Sequence, residues 1–295
     1  IGVNDQLAAS GANVRLAYAE FVVSTESSYD TMKVVFFKDT GNKQLGSHWV
    51  PGDPRNDVGQ GPLMLYITDT VDGVANCGEG CELSAAETTA AIDSGMAEWD
   101  AIDCSNLPIV NVGAYEEDFG YVQYLVGFGG SPGFFPFITH GGWLPGDFFE
   151  AIGGPGGGTG ILGVTFTFVW GDNDPDGNFI PSDIDSNGKN DVALREIYMN
   201  NNFRWEIGND MGTGFFDVKA VMNHEQGHAL SQGHFGSISL MPSGKVVWTP
   251  KKESIKWCWP KLWRLQAIKV LRQKLTAKFR QENTPRLQNI KPRSC

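Results

Sequence analysis

Apolar positions in the first 250 residues follow two periods, and the switches between them divide the chain into elements. Short apolar stretches at 15–24 and 33–37 have the composition of strands. Turn residues from Gly46 to Gly61, with Pro51 and Pro54 among them, separate these from Leu63-Met64-Leu65-Tyr66-Ile67-Thr68. That run reads as the first strand of the main domain. Ser84 with Glu87 three residues later forms a capping box. Ala91, Ile92, Gly95, Met96, Trp99 and Ile102 then recur at helical spacing, so this helix packs one face on a sheet. Strands are predicted at 107–112, 121–128 and 161–170. In the last, Val164, Phe166, Phe168 and Trp170 alternate with Thr165, Thr167 and Val169, the pattern of a half-buried strand. Residues 127–160 are dense in glycine, proline and aromatics and read as a long surface loop near a cleft. A strand is predicted at 191–200 and a helix at 217–231. The order predicts an α+β fold, a twisted mixed sheet with one backing helix and a second helix following it.

With 295 residues and 41% apolar content, the chain has room for one large or two modest domains. Charge divides it unevenly. From Lys251 onward, 13 of the 23 Lys and Arg residues accompany only two acids, Glu253 and Glu282, and no glycine. Residues 1–250 carry a net −22 and the last 45 residues +11. Three segments are expected: 1–60, a flanking region in the position of a pro-segment; 61–250, the main domain; and 251–295, a basic tail. A body this acidic argues against nucleic acid or an anionic membrane as partner. No run of 18 apolar residues exists to span a bilayer. Cys77, Cys81 and Cys104 flank the helix after Ser84 and can form one disulfide with one thiol left over, or stay three thiols. Low lysine content, loops rich in Asp, Asn and Gly, and that disulfide favour a secreted protein. The chain starts at Ile1 without a methionine or a signal peptide, as a fragment or processed form does.

Three of the five histidines fall within eleven residues, in the run Asn223-His224-Glu225-Gln226-Gly227-His228-Ala229-Leu230-Ser231-Gln232-Gly233-His234. On a helix, His224 and His228 project from one face about a turn apart, which lets both imidazoles ligate one zinc ion. Glu225 lies beside them within reach of a metal-bound water. His234 is too far along to join from the same straight helix. The chain therefore breaks after Leu230 and folds back, with Gly233 as a residue that tolerates the bend. Three neutral imidazoles with one open position make a catalytic zinc site.

The run resembles the metzincin signature H-E-x-x-H-x-x-G-x-x-H, and its H-E-x-G-H-A-L portion most resembles the matrixin branch. It departs at Ser231, where the family has glycine, and at Phe235, where matrixins usually carry serine. Serine at a position that needs positive φ strains the turn. The resemblance implies a metzincin-like twisted mixed sheet with a backing helix and an active-site zinc helix. It also implies a methionine turn beyond the third histidine, a place that Met241 fits; Met241 otherwise reads as a loop methionine. His48 and His140 read as ordinary loop histidines.

Between Gly171 and Asp191, Asp172, Asp174, Asp176 and Asp183 follow the oxygen-ligand rhythm of an EF-hand loop, overlapped by a second set, Asp183, Asp185, Asn187 and Asp191. They read as calcium ligands, in keeping with the calcium sites of the family resembled, or as a solvated acidic turn. In the tail, Leu262, Leu265, Ile268, Leu271, Leu275 and Phe279 recur at helical spacing between basic residues. That is a basic amphipathic helix, or a non-native terminus left by an out-of-frame end.

The function expected is a zinc-dependent endopeptidase, with zinc on His224, His228 and His234 and Glu225 as general base. Its peptide or protein substrate is expected to lie extended against an edge strand, placed at 191–200. The rivals are a catalytically inactive zinc- and calcium-binding extracellular protein and a metal-free structural domain.

Overall fold

A computed structural model describes residues 2–23, 33–34, 46–56, 63–102, 108–132, 137–208, 214–233, 236–240 and 246–250. The N-terminal part holds α1 (Val3–Ala9), β1 (Val14–Val23), β2 (Lys33–Val34), β3 (Ser47–His48), β4 (Met64–Asp69), β5 (Ala75–Asn76) and β6 (Glu82–Leu83). Next come α2 (Ala85–Asp100), β7 (Ile109–Tyr115), α3 (Tyr121–Val126), β8 (Ile138–Leu144), α4 (Gly146–Gly153) and α5 (Gly157–Gly160). The remainder is β9 (Ile161–Asn173), β10 (Phe179–Pro181), β11 (Asn190–Asn200), β12 (Arg204–Glu206), β13 (Phe215–Asp217), α6 (Val218–Ala229), β14 (Gly236–Leu240) and β15 (Val246–Pro250).

One mixed sheet organises these elements. Its order is β1-β9-β11-β8-β4-β7, with β10 added to β9 and β3 to β11. β1, β9 and β11 pair antiparallel, whereas β11, β8, β4 and β7 run parallel. Parallel neighbours need a crossover, and α2 supplies it between β4 and β7. The expected capping box starts α2: the Glu87 carboxylate accepts from the Ser84 amide at 2.8 Å, and Ser84 Oγ accepts from the Glu87 amide.

Helices cover both faces. On one, Ile92 and Met96 of α2 and Val218, Val221 and Met222 of α6 pack on Tyr66, Leu162, Ile197 and Met199. On the other, Leu7 of α1, Val122 of α3 and Phe148 and Phe149 of α4 meet Val164, Phe166, Phe168 and Tyr198. The result is an α+β molecule of three layers, and α6 lies under the antiparallel half of the sheet.

Several expectations need correction. Residues 121–128 are not a strand. They start α3, whose first amides, Tyr121 and Val122, donate to the buried carboxylate of Glu196 at 2.6 and 2.9 Å. Residues 127–160 are not one surface loop, since they contain the wholly buried strand β8 and the helices α4 and α5. Their glycines serve close approach: a side chain at Gly141 would strike the Tyr198 ring, and one at Gly142 the backbone of Asp72. β9 is not half-buried, because Thr165 and Thr167 are as inaccessible as Phe168. Residues 191–200 form no edge; β11 runs between β9 and β8. Before residue 61, β1 forms the outer strand on β9 and α1 contributes to the core, so the edge of the sheet does not fall at that boundary. The strand expected at 33–37 is described only at Lys33–Val34, paired with β14. The tail 251–295 lies outside the described residues.

Candidate metal centre

The helix that presents the histidines starts at an Asp217 cap, whose carboxylate accepts from the Ala220 amide at 3.0 Å. α2 holds it from behind. Trp99 Nε1 donates to the Asn223 carbonyl at 3.1 Å, Asn223 Nδ2 to Glu98 at 2.7 Å, and Gln226 Nε2 to the Ile92 carbonyl at 3.1 Å. Gly95 makes this contact close, since a Cβ there would lie 2.9 Å from Asn223 Oδ1.

Sequence spacing and structure agree on the helical pair. The rings of His224 and His228 stand edge to face with centroids 4.8 Å apart, and their Nε2 atoms are 3.2 Å from one another. Two zinc–nitrogen bonds of about 2.0–2.1 Å at a tetrahedral angle would separate the nitrogens by about 3.3–3.4 Å, so one ion fits between them. His228 Nδ1 lies 2.8 Å from the Gln232 carbonyl. That contact places the proton on Nδ1 and leaves Nε2 as the electron-pair donor. Burial drives the His228 pKa down to about 4, so the ring is neutral at pH 7 as a ligand must be.

Glu225 is 0% exposed. Its Oε2 accepts from Thr165 Oγ1 at 2.6 Å, while among the described residues no partner meets Oε1 in hydrogen-bonding geometry. Desolvation raises its pKa to about 8, with Glu20 of β1 adding to the rise, and Thr165 and the Val22 amide opposing it. Val22 is paired with Gly163, and a Cβ on Gly163 would lie 3.2 Å from Glu225 Oε1. The carboxylate thus sits beneath β9 and against β1. The two converging imidazole nitrogens are spaced as a bound metal ion would need them.

The chain does break after α6, at the expected place. Leu230 is the C-cap and Ser231 adopts the left-handed conformation, φ 66°. Ser231 donates to the His228 carbonyl and Gln232 to that of Gly227, both at 2.9 Å, the Schellman pattern with serine where glycine is usual. The bend residue is Ser231 rather than Gly233. Arg195 of β11 braces the turn, donating to the Ala229 carbonyl at 2.6 Å and to Ser231 Oγ at 2.8 Å. Its guanidinium is buried, and desolvation lowers its pKa to about 9. The carbonyl-lined C-terminus of a helix offers such a cation a favourable end, about 0.3–2 kcal/mol. His234 and Met241, expected as third ligand and turn methionine, and Cys104 lie outside the described residues. Cys77 and Cys81 form a disulfide.

The acidic-loop carboxylates, expected as calcium ligands, have defined partners within the protein. Asp174 closes the β9–β10 hairpin by accepting from the amides of Asp176 and Asn178. Asp183 accepts from Asn187 and Gly188, and Asp191 is paired with Arg55 at 2.6 Å. Asp172 sits within β9, paired with Ile180. The carboxylate and imidazole groups close enough to share an ion are His48, Asp185 and Asp191, and also Asp69, Asp72 and Asp118. His48 is thus not an isolated loop histidine: it lies on β3, 3.1 Å from Asp185. His140 is in the buried strand β8, 3.2 Å from Gln226. Sequence reading missed Thr165, Arg195 and the acid trio, whose partners are distant in the chain. Comparison with protein-family models, curated proteins and solved structures found no match.

Proposed function

We propose that the chain is a secreted zinc-dependent endopeptidase of metzincin, matrixin-like type. The observation that carries this reading is the pair of buried imidazole nitrogens, His224 Nε2 and His228 Nε2, 3.2 Å apart on α6, with the buried Glu225 between them in sequence. When bound, zinc supplies Lewis acidity and lowers the pKa of a water at its open position. His224 and His228 would hold the ion through Nε2, with the Gln232 carbonyl keeping His228 in the right tautomer, and His234 is proposed as the third ligand. Glu225 Oε1 takes the proton of the attacking water and returns it to the leaving amine. Thr165 holds one oxygen of this carboxylate at 2.6 Å. The Cys77–Cys81 disulfide supports an oxidising compartment.

A second reading, a catalytically inactive metal-binding extracellular protein, is favoured by the complete burial of Glu225. Two measurements on the full chain separate these. Elemental analysis is expected to find one zinc, lost in His228→Ala. Cleavage of denatured casein is expected to fall by about 10²–10⁴-fold in Glu225→Ala with zinc retained. Zinc without cleavage favours the inactive binder, and a zinc-free chain sinks both.

A further inference from the structure

Arg195 raises a question that the proposed chemistry does not answer. It sits on β11, in the interior of the protein, yet among the described residues no carboxylate lies within ion-pair distance of it. Its partners are neutral oxygens: Ala229 O, Ser231 Oγ, Thr167 Oγ1 at 3.1 Å and Ser47 Oγ at 3.4 Å. Burying a cation without a counter-charge is costly, so the side chain is held by what its fork does there. Two of those contacts grip the end of α6 on either side of Leu230.

The residue gripped is also the odd one in the motif. Ser231 takes φ 66°, which glycine adopts freely and serine does not. Glycine would have removed the strain and also the hydroxyl that receives Arg195 Nη2. The next residue, Gln232, carries the carbonyl on which His228 Nδ1 rests. A continuous path therefore runs from the guanidinium through the Ser231 turn to the imidazole.

We propose that Arg195 is a positioning residue for His228, clamping the Ser231 turn so that the Gln232 carbonyl aims His228 Nε2 at the metal. This rests on the reading of His224 and His228 as zinc ligands. Arg195 and Ser231 act as a pair: the Cβ makes the left-handed turn expensive, and the hydroxyl it carries is the handle by which the turn is held. Lysine cannot stand in, because one ammonium does not reach Ala229 O and Ser231 Oγ in fork geometry.

The test is zinc affinity of the full chain, measured by competition with a chromophoric chelator, with thermal unfolding of the metal-free protein recorded beside it. Arg195→Gln is expected to weaken zinc by about tenfold to a hundredfold, as loss of a group behind a metal ligand does. Adding Ser231→Gly to it is expected to restore most of the affinity, since glycine holds the turn unaided. A buried arginine is a risky site, so Ser231→Ala, which keeps Arg195 and the strained φ and removes only the hydroxyl, is expected to weaken zinc in the same direction. Wild-type affinity in Ser231→Ala or Arg195→Gln, or a failure of Ser231→Gly to rescue, overturns the clamp while leaving the zinc reading intact. A wild-type chain that binds no zinc overturns both.

Discussion

His140 lies wholly inside the sheet, with Nδ1 3.0 Å from the Ile67 carbonyl and Nε2 3.2 Å from the Gln226 amide. Desolvation pulls its pKa down from 6.5 to about 4. Below pH 6.5 the unfolded chain therefore binds a proton that the folded chain refuses until about pH 4. Stability is present above that window, is lost as pH falls through it, and levels off beneath it. The full loss is at most about 3 kcal/mol from this one ring. Melting of metal-free protein between pH 7 and 4 is expected to show the decline, and His140→Phe is expected to flatten part of it; an identical slope in the variant removes His140 as the cause. At this scale the sequence told a partial story. His224 and His228 were legible because one helical turn brings them together, and Glu225 because it stands between them in the motif. Thr165 and Glu225 are 60 residues apart, Arg195 and Ala229 are 34, and His140 and Gln226 are 86, so no local period betrays these contacts. Alternating threonines in β9 looked like a wet face. They are polar because they meet Glu225 and Arg195, and the face is dry.

Among the elements, α2 and α6 form the contact on which the histidines depend. Helix propensity alone says that Gly95→Ala should stabilise α2 by about 1 kcal/mol. Packing says the opposite: the new methyl would meet Asn223 Oδ1 and Gln226 Oε1, two buried side chains already tied to α2, at an overpacking cost of about 1–3 kcal/mol. Destabilisation is expected, read as a lower urea midpoint with unchanged m; a higher midpoint means that the two helices separate without cost. Strong local signals made this pair legible, a capping box for α2 and an i, i+4 histidine face for α6. The short elements were not. A six-residue apolar run has no period to distinguish helix α3 from a strand, and only the distant Glu196 carboxylate at its N-terminus decides. β8 was hidden by Gly141 and Gly142, which the sequence offers as loop residues and the fold uses to bring Tyr198 and Asp72 close.

For the whole molecule, the informative feature is where the sheet ends. An extended peptide cannot join β11, which has neighbours on both sides, and β1 already occupies the outer edge of β9. Glu20 and Val22 of that strand lie along Glu225. Val22→Pro removes the amide facing the carboxylate and interrupts the ladder with Gly163. If the chain is a peptidase, opening this side is expected to raise casein cleavage by about tenfold, as a larger competent fraction would. Unchanged cleavage in a folded variant would show that substrate approaches elsewhere. Overall class, an α+β mixed sheet over a histidine-bearing helix, was readable from element order. The role of residues before 61 was not, because β1 pairs with a strand some 140 residues later.

That separation also orders events in time. β1 leaves the ribosome early, but its place does not exist until β9 has formed, and closing so long a loop is slow compared with local pairing. Until β1 docks, the flank of Glu225 beside Gly163 is uncovered. The interval between forming α6 and docking β1 therefore leaves this flank open, and if the proposed site takes an ion, the sequence of closure as well as affinity governs when it enters.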